Sequence, residues 1–433
     1  MLKLTQTLTI SRMGAQGDGI AGSSDNDGLT GDVFVPGTLA GETVEVTRDG
    51  GRGDLVRVLI PSPERVEPIC HWVGRCGGCA LQHWQRAPYE DWKRQLVITT
   101  LTQANIEPHQ SLLDTVHPTL SAHGEGRRRV TLHARRETTG WQVGFMERRS
   151  HTIIAIDHCP LLVPALADAP MLAQTLVEAL GGDKPLDVHL TATISGLDVD
   201  IRGHGPASDG KRRVLADVAR RLGLARLAIH GDVIVQIENA SVAIGVAEVV
   251  APPGAFLQAT EAGEQMLADK VLAAVGKSKR VLDLFAGVGT FALRLAEKAT
   301  VHAVESDVKA LAALDRGWRE AKGLRSVTSE ARDLFRRPLI PTELTAYDAV
   351  VFDPPRAGAE AQSRQLAKSN VGRIVAVSCN IASFARDAKI LMEGGYRLHD
   401  LWPVDQFLYS PHVEVVGLFE RPPAAKKVRR LLG

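Results

Sequence analysis

Residues 280–305 constrain the fold more than any other stretch of this chain. An apolar segment at 281–284 is followed by Gly287 and Gly289, and a second apolar segment ends in Glu305. A buried strand, a glycine turn, a helix and a second strand in this order predict half of a doubly wound α/β sheet. The glycines allow the backbone to approach a ligand, and the terminal acid can bind ribose hydroxyls.

An acidic residue ahead of the glycines indicates which ligand this turn binds. Asp283 precedes Gly287 and Gly289, which gives the pattern Asp-x3-Gly-x-Gly instead of the dinucleotide fingerprint. A carboxylate there would repel a pyrophosphate, whereas the sulfonium and amino group of S-adenosylmethionine are positively charged. The pattern therefore favours a methyltransferase over a dehydrogenase, and the alternative is an α/β turn without a ligand.

Composition sets the broad class of protein. A length of 433 residues predicts two or three domains, and a formal net charge of +1 excludes a globally basic nucleic-acid binder. No apolar run is long enough for a membrane span, and no secretory signal is visible, so we expect a cytoplasmic protein, by default a monomer. In that compartment the five cysteines are expected to be metal ligands or catalytic groups.

The order of segments predicts a multidomain protein. Residues 1–62 contain short strands between Gly, Asp and Pro turns, which predicts an OB-like β-barrel, and 33–46 resembles the central part of an RNA-binding TRAM domain. The alternative is a small packing domain without a ligand. Residues 63–250 are predicted to form a central α+β domain that holds a cysteine cluster and an RNA-binding surface. An amphipathic helix is predicted over 88–106. Residues 251–433 alternate between strand and helix patterns, which predicts a Rossmann-like, doubly wound sheet with a late antiparallel pair. Helices are predicted over 261–275, 290–298, 307–321, 359–368 and 381–393.

Four of the cysteines indicate a metal site in the central domain. Cys70, Cys76 and Cys79 are closely spaced, and Cys159 follows at a distance. Four thiolates suit either tetrahedral zinc or a [4Fe–4S] cluster. The glycines between Cys76 and Cys79 leave room for a bulky group and favour the cluster, whereas unliganded buried thiols are the alternative.

Basic residues are concentrated in the segment 121–150 and at the C-terminus. Seven arginines against three acids within 121–150 predict a phosphate-contacting surface, although a solvated strand face has the same pattern. The C-terminal lysines and arginines within 426–430 could also contact RNA. The arginines to which we assign RNA contact are Arg127, Arg128, Arg129, Arg135 and Arg136.

Three motifs at strand ends are expected to meet at one edge of the C-terminal sheet, where ligands bind in such folds. They are Asp353-Pro-Pro-Arg, Ser-Cys379-Asn and His-Val-Glu414. C5 of a pyrimidine becomes nucleophilic only after a thiolate adds to C6, and a base must then remove the C5 proton. Cys379 supplies the nucleophile and Glu414 the base, while Asp353 could orient the target base or the cofactor. A buried strand cysteine and a surface strand glutamate are the alternatives.

Taken together, these motifs resemble the RNA 5-methyluridine (uracil-C5) methyltransferases, specifically the branch that acts on 23S ribosomal RNA and carries a TRAM domain and an iron–sulfur cluster. The resemblance implies S-adenosylmethionine as methyl donor and a [4Fe–4S] cluster on the four cysteines. It also implies that helix 88–106 packs on the catalytic domain, and that Cys379 and Glu414 are the nucleophile and base. The residues implied to line the methyl-donor site are Gln258, Phe285, Glu305 and Asp353, with Asp333 near the adenine.

The chain departs from the family pattern at two positions and leaves other functions open. Thr260 stands where the family often has Asn, and Ala286 stands where Cys is frequent. Both positions affect the expected fit of the cofactor or target loop. Methylation of transfer RNA by the same chemistry is one alternative function. A non-catalytic RNA-binding iron–sulfur protein is another.

Overall fold

The computed structural model describes residues 5–22, 31–108 and 110–422. The basic segment within 426–430 lies outside these residues. Three sheets of more than two strands account for most of the chain. No helix in the described ranges is long and apolar enough to cross a membrane.

The N-terminal unit is a six-stranded sheet with the order β1-β5-β6-β4-β3-β2. Its strands alternate between buried and exposed positions, so that one face packs on a small apolar core formed by residues such as Val35, Val44 and Val46. Short strands between turns agree with the sequence pattern, and a TRAM function stays a prediction. The strands are β1 (Thr5–Thr9), β2 (Arg12–Met13), β3 (Gly19–Ala21), β4 (Val33–Val35), β5 (Thr43–Asp49) and β6 (Arg52–Ile60).

A linking segment runs from this sheet to the central domain, and its helix packs on the C-terminal sheet. It holds α1 (Arg86–Gln103), α2 (Leu112–Thr115) and β7 (Leu120–Ser121). The buried side chains of α1 include Val97, Ile98 and Leu101, which belong to the core of the C-terminal sheet and not to a core of the central domain. Helix α1 starts two residues before the predicted range of 88–106, and it ends three residues before the end of that range.

The central domain is a seven-stranded, mostly antiparallel sheet with two helices on it. The order of its strands is β10-β9-β8-β11-β12-β13-β14, and only β12 and β13 run parallel. The elements are β8 (Arg129–Glu137), β9 (Gly140–Met146), β10 (Ile153–Ala155), α3 (Ala169–Leu180), β11 (Leu186–Thr193), β12 (Gly196–Arg202), α4 (Asp209–Arg221), β13 (Leu224–Ile229) and β14 (Asp232–Gln236).

A hairpin marks the beginning of the C-terminal unit. It consists of β15 (Ser241–Ile244) and β16 (Ala247–Val250). Its side chains Val242, Ile244 and Val249 share a core with Leu293 and Ala310, which follow in the C-terminal unit. The C-terminal unit therefore includes the ten residues ahead of the predicted boundary at 250/251.

The C-terminal sheet has eight strands in the order β19-β18-β17-β20-β21-β23-β22-β7. Strands β17 to β21 run parallel, and β23 lies antiparallel between β21 and β22, as the sequence pattern predicts. The strands are β17 (Arg280–Leu284), β18 (Thr300–Glu305), β19 (Val327–Ala331), β20 (Ala349–Phe352), β21 (Arg373–Ser378), β22 (Arg397–Asp405) and β23 (Glu414–Glu420). The helices are α5 (Glu261–Val275), α6 (Ala292–Leu295), α7 (Val308–Glu320), α8 (Pro341–Leu344), α9 (Glu360–Leu366) and α10 (Ile381–Glu393).

The helix predicted over 290–298 is wrong in length, since α6 has only four residues. Gly287 and Gly289 both adopt positive φ angles, so the turn continues to Phe291 before a helical hydrogen-bond pattern begins. Turn residues 296–298 then lead directly into β18. A tight glycine turn therefore takes the place of the first helical turn.

A buried ionic group joins the central domain to the C-terminal unit. Glu264 on α5 is 1% exposed and accepts hydrogen bonds from Arg128, just before β8, and from Arg294 on α6. Arg128 Nε also donates to the carbonyl of Gln258 at 3.1 Å. Removing one partner of such a group leaves the others charged and buried, which is costly.

We expect the substitution Glu264→Gln to lower the stability of the protein by about 3–5 kcal/mol, because two buried arginines lose their counter-charge. Urea unfolding followed by circular dichroism measures this effect. The matched control is Glu360→Gln, whose exposed, solvent-screened ion pair with Arg364 should leave the unfolding midpoint almost unchanged when it is removed. Equal unfolding midpoints for the two variants would contradict the proposed role of Glu264.

Candidate active site and cysteine cluster

One cavity at the carboxyl edge of the parallel strands brings the predicted site residues together. It has a volume of about 440 Å³. Its walls come from the ends of β17, β18, β19, β20 and β21 and from the start of β23. The predicted residues that line it are Gln258, Phe285, Gly287, Glu305, Asp333, Asp353, Cys379 and Glu414.

The glycine turn supplies one wall of this cavity. Gly287 has a φ of 55° and an added Cβ would meet nothing within 4 Å, so the turn leaves open space on the cavity side. A Cβ on Gly289 would lie 2.9 Å from Leu314 and 3.0 Å from Leu293, so this glycine is needed for packing. Gly289 and Asp283 are not among the residues that line the cavity.

Asp283 is a buried carboxyl group without a well-formed hydrogen bond. It is 1% exposed, and neither oxygen has a hydrogen-bond partner among the described residues. Burial raises its pKa well above the ordinary value, Asp353 adds to the increase, and the nearby backbone amide of Ala292 opposes it. An unsatisfied buried acid of this kind favours a cationic or hydrogen-donating ligand nearby.

Glu305 and Asp333 organise the adjoining backbone. Glu305 accepts hydrogen bonds from the amides of Gly287 at 3.0 Å, Ser306 at 2.6 Å and Asp307 at 2.9 Å. Asp333 accepts from the amide of Phe335 at 2.9 Å. Glu305 therefore connects the glycine turn to the loop after β18, and Asp333 bonds within its own loop. Both acids line the cavity.

Two aromatic side chains at the cavity were not predicted as site residues. Phe335 lies 5.6 Å from Phe285, measured between ring centroids, and both line the cavity. Phe256 is 70% exposed and carries the guanidinium of Arg129 over its ring at 5.0 Å. Both could have been inferred from their positions, since Phe335 follows Asp333 closely and Phe256 precedes Gln258 by two residues.

The thiol of Cys379 shares the cavity with two buried carboxyl groups. Burial raises the pKa of Cys379 to about 11, and the negative charges of Glu414 and Asp353 add to the increase, while Arg356 opposes it. Burial and the proximity of Asp353 also raise the pKa of Glu414, and burial raises that of Asp353. The free site therefore disfavours further negative charge and is suited to a positively charged ligand.

A buried lysine anchors the loop that precedes Glu414. Lys93 on α1 is fully buried, and its ammonium donates to Asp405 at 2.6 Å and to the carbonyl of His412 at 2.6 Å. Tyr89 donates to the second oxygen of Asp405 at 2.9 Å. Burial lowers the pKa of Lys93 to about 8, and its ion pair with Asp405 opposes this change. The linking helix α1 therefore helps to position the loop that precedes Glu414.

The four predicted cluster cysteines line a separate cavity of about 280 Å³ in the central domain. Burial raises the pKa of Cys79 to about 11 and raises that of Cys159, and the negative charges of neighbouring thiolates add to both increases. No three of the thiol sulfurs in the described chain lie within 4.8 Å of one another. The cysteines are Cys70, Cys76, Cys79 and Cys159.

The predicted RNA-binding arginines separate into different environments. Arg127 lines an open cleft of about 450 Å³ together with Arg148, Arg149, Phe407 and His412. Arg148 and Arg149 also donate to the buried carboxylate of Asp18 in the N-terminal unit, at 2.6 and 2.8 Å. This cleft therefore lies between the N-terminal unit, the cysteine region and the loop that precedes Glu414.

The prediction that Arg128 contacts RNA is wrong, because its side chain is buried and paired with Glu264. Arg129 is directed to the active-site side, where it donates to the carbonyl of Leu257 at 2.6 Å. Arg135 and Arg136 lie at the far end of β8 and do not line the cleft with Arg127. Strand alternation in the sequence could not distinguish these environments.

Comparison with known proteins agrees with this geometry. The model of the tRNA (uracil-5-)-methyltransferase family matches residues 248–421. An uncharacterized RNA methyltransferase of Brucella suis is 47% identical over 418 residues, covering 96% of this chain and 98% of the relative. The 23S rRNA (uracil(1939)-C(5))-methyltransferase RlmD of Shewanella amazonensis is 32% identical over 441 residues, with 96% of each chain covered.

A solved structure has the same fold over nearly the whole chain. The tRNA (uracil-54, C5)-methyltransferase of Pyrococcus abyssi, in complex with S-adenosyl-L-homocysteine, matches with a TM-score of 0.72 at 23% identity. The match covers 95% of this chain and 99% of that one. The chain belongs to the uracil-C5 RNA methyltransferase family. It is an S-adenosylmethionine-dependent enzyme of that type, and the resemblance to the uracil-C5 RNA methyltransferase family drawn from its motifs is confirmed.

Proposed function

We propose that this enzyme methylates C5 of a specific uridine in 23S ribosomal RNA, through a covalent bond between Cys379 and C6 of the base. The observation that carries the proposal is the shared cavity, in which Cys379, Glu414 and Asp353 lie with the glycine turn and Glu305. The RlmD relative, identical at 32% over most of both chains, supports 23S ribosomal RNA as the substrate.

The reaction follows from the groups in the cavity. The Cys379 thiolate adds to C6, and the electrons of the C5–C6 double bond move onto the C5–C4–O4 enolate. C5 then attacks the methyl group of S-adenosylmethionine, and the sulfonium sulfur leaves as the neutral thioether of S-adenosylhomocysteine. Glu414 takes the C5 proton, the C5–C6 double bond reforms, and the thiolate of Cys379 departs.

Charge balance in the cavity supports this sequence. The pKa of Cys379 is raised in the free protein, partly by Glu414 and Asp353. The methyl donor carries a positive charge that offsets these carboxylates, and Arg356 acts in the same direction. Binding of the donor therefore favours the thiolate.

The RNA is proposed to enter along the cleft of Arg127, Arg148 and Arg149. Guanidinium groups bind phosphates, and Phe407 and His412 in the same cleft offer flat rings to unstacked bases. The target uracil must leave any stacked arrangement to present both faces to the thiol and the methyl donor. The N-terminal sheet, which borders the cleft through Asp18, is proposed to act as the TRAM-like RNA-binding domain.

Transfer of radiolabelled methyl groups from S-adenosylmethionine into total RNA tests the substrate. The RNA comes from cells lacking this protein and is separated by size after the reaction. We expect label in 23S RNA, and we expect Cys379→Ala to abolish labelling while RNA binding in a filter assay is retained, because only the nucleophile is lost.

Label in transfer RNA would keep the mechanism and overturn the ribosomal substrate. The Pyrococcus abyssi structure is of a transfer-RNA enzyme, so this outcome has support from the fold. No label with the wild-type protein, or full labelling by Cys379→Ala, would contradict the proposed function and favour a non-catalytic RNA-binding protein.

The four central cysteines are proposed to hold a [4Fe–4S] cluster. Tetrahedral zinc with sulfur at about 2.3 Å requires thiols about 3.8 Å apart. No three of these sulfurs are mutually within 4.8 Å, yet all four line one cavity, so the arrangement fits the larger group better. Methyl transfer needs no redox chemistry from a cluster. Its proposed role is to hold together the segments around Cys70 and Cys159.

We expect protein purified without oxygen to contain about four iron and four sulfide per chain and to be brown. The substitution Cys76→Ser should remove the colour and reduce the soluble yield, because a ligand of the cluster is lost. The matched control is Cys379→Ser, which should keep the iron content. Stoichiometric zinc in the wild-type protein, or normal stability of an iron-free Cys76→Ser variant, would contradict a structural cluster.

A further inference from the structure

We propose that Gln406 is a positioning residue that keeps the base Glu414 in the proton-accepting form and couples it to the methyl-donor site through Gln258. The inference rests on the proposed function. Gln406 follows the last residue of β22, and sequence patterns gave no indication of its role. It is fully buried, and its side chain contacts residues that line the active-site cavity.

A backbone hydrogen bond fixes the orientation of the Gln406 amide. The N–H of Ala259 donates to Oε1 of Gln406 at 2.9 Å. A backbone N–H can only meet the oxygen of a side-chain amide, so the NH₂ group must occupy the other position. The main chain after Gln258 therefore determines that Gln406 presents two hydrogen-bond donors to the catalytic site.

Both donors are used, and they reach two different residues. Nε2 of Gln406 donates to Oε1 of Gln258 at 2.7 Å and to Oε1 of Glu414 at 3.1 Å. Because Oε1 of Gln258 accepts, its own NH₂ faces away and donates to Oδ2 of Asp353 at 3.1 Å. One backbone N–H therefore orients two amides in series, and each buried carboxyl group receives one donor.

This arrangement favours the ionised form of the base. Glu414 is 3% exposed, and burial and Asp353 both disfavour its charge, while the Gln406 donor opposes them. Asp353 and Cys379 are the titratable groups that interact with Glu414, and Arg356 acts on Cys379. Glu305 and Asp333 line the same cavity, His412 precedes Glu414 by two residues, and Asp405 is paired to Lys93. An amide has no proton to give up, so Gln406 stabilises the carboxylate without competing for the C5 proton.

The substitution Gln406→Met tests this role, because it keeps the approximate volume and removes both donors. A pKa raised further in Glu414 moves the acid limb of the kcat profile to higher pH, since the base must be deprotonated to act. We expect a displacement of about one pH unit, equivalent to a loss of about tenfold in kcat on the acid limb. Addition of Cys379 and methyl transfer precede proton removal, so an RNA–protein adduct stable to denaturing electrophoresis should accumulate.

The matched control is Gln362→Met. Gln362 is another fully buried glutamine of the same domain, bonded to the backbone N–H and carbonyl of Leu339 outside the active site. The Gln362→Met variant should lose stability, but the acid limb of its kcat profile should not move and no adduct should accumulate. A second variant, Gln406→Asn, keeps the amide but shortens it, so it cannot reach Ala259 and Glu414 together. It should displace the limb in the same direction by a smaller amount.

The outcomes separate this inference from the proposed function. An active wild-type enzyme with a folded Gln406→Met or Gln406→Asn variant that retains the wild-type acid limb would overturn the role of Gln406 alone. A wild-type protein that transfers no methyl group to RNA would overturn the proposed function instead. If Gln406→Met does not fold, the acid limb of Gln406→Asn decides the question.

Discussion

The catalytic site depends on placing two carboxyl groups and a thiol in one cavity shielded from water. Burial of like-charged groups is unfavourable, and it raises the pKa values of Asp353, Glu414 and Cys379 together. The surrounding structure supplies amide donors, one nearby arginine and space for a ligand. A cationic methyl donor such as S-adenosylmethionine is the kind of ligand that this electrostatic environment favours.

Distant parts of the chain hold this cavity in place. Helix α1, which precedes the central domain in sequence, supplies the buried Lys93 that fixes the loop before Glu414. Arg128, at the edge of the central sheet, pairs with Glu264 and bonds to the carbonyl of Gln258. Arg127 lines both the cysteine cavity and the arginine cleft. The proposed RNA cleft and the cysteine region therefore share a wall residue.

Local patterns were sufficient to predict the parallel sheet and several of the residues that line its cavity. Glu305, Asp353 and Cys379 each follow an apolar strand, and ends of parallel strands meet at one edge of a sheet. The same reasoning failed where contacts depend on the tertiary fold. Gln406 meets Gln258 over a separation of 148 residues, and Lys93 meets Asp405 over 312. Arg128 and its neighbours look alike in sequence, although only Arg128 among the three arginines at 127–129 is buried and paired with Glu264 of α5.

The covalent role of Cys379 is the central claim, and trapping its adduct tests it most directly. Fluorine at C5 of uracil cannot be removed by a base, so the intermediate formed after methyl transfer should persist. The protein is incubated with S-adenosylmethionine and total RNA that contains 5-fluorouridine, and the adduct is digested and analysed by mass spectrometry. The account predicts a peptide in which Cys379 carries a methylated fluorouridine, formed only when the methyl donor is present. Absence of any adduct, or attachment through another residue, would contradict it.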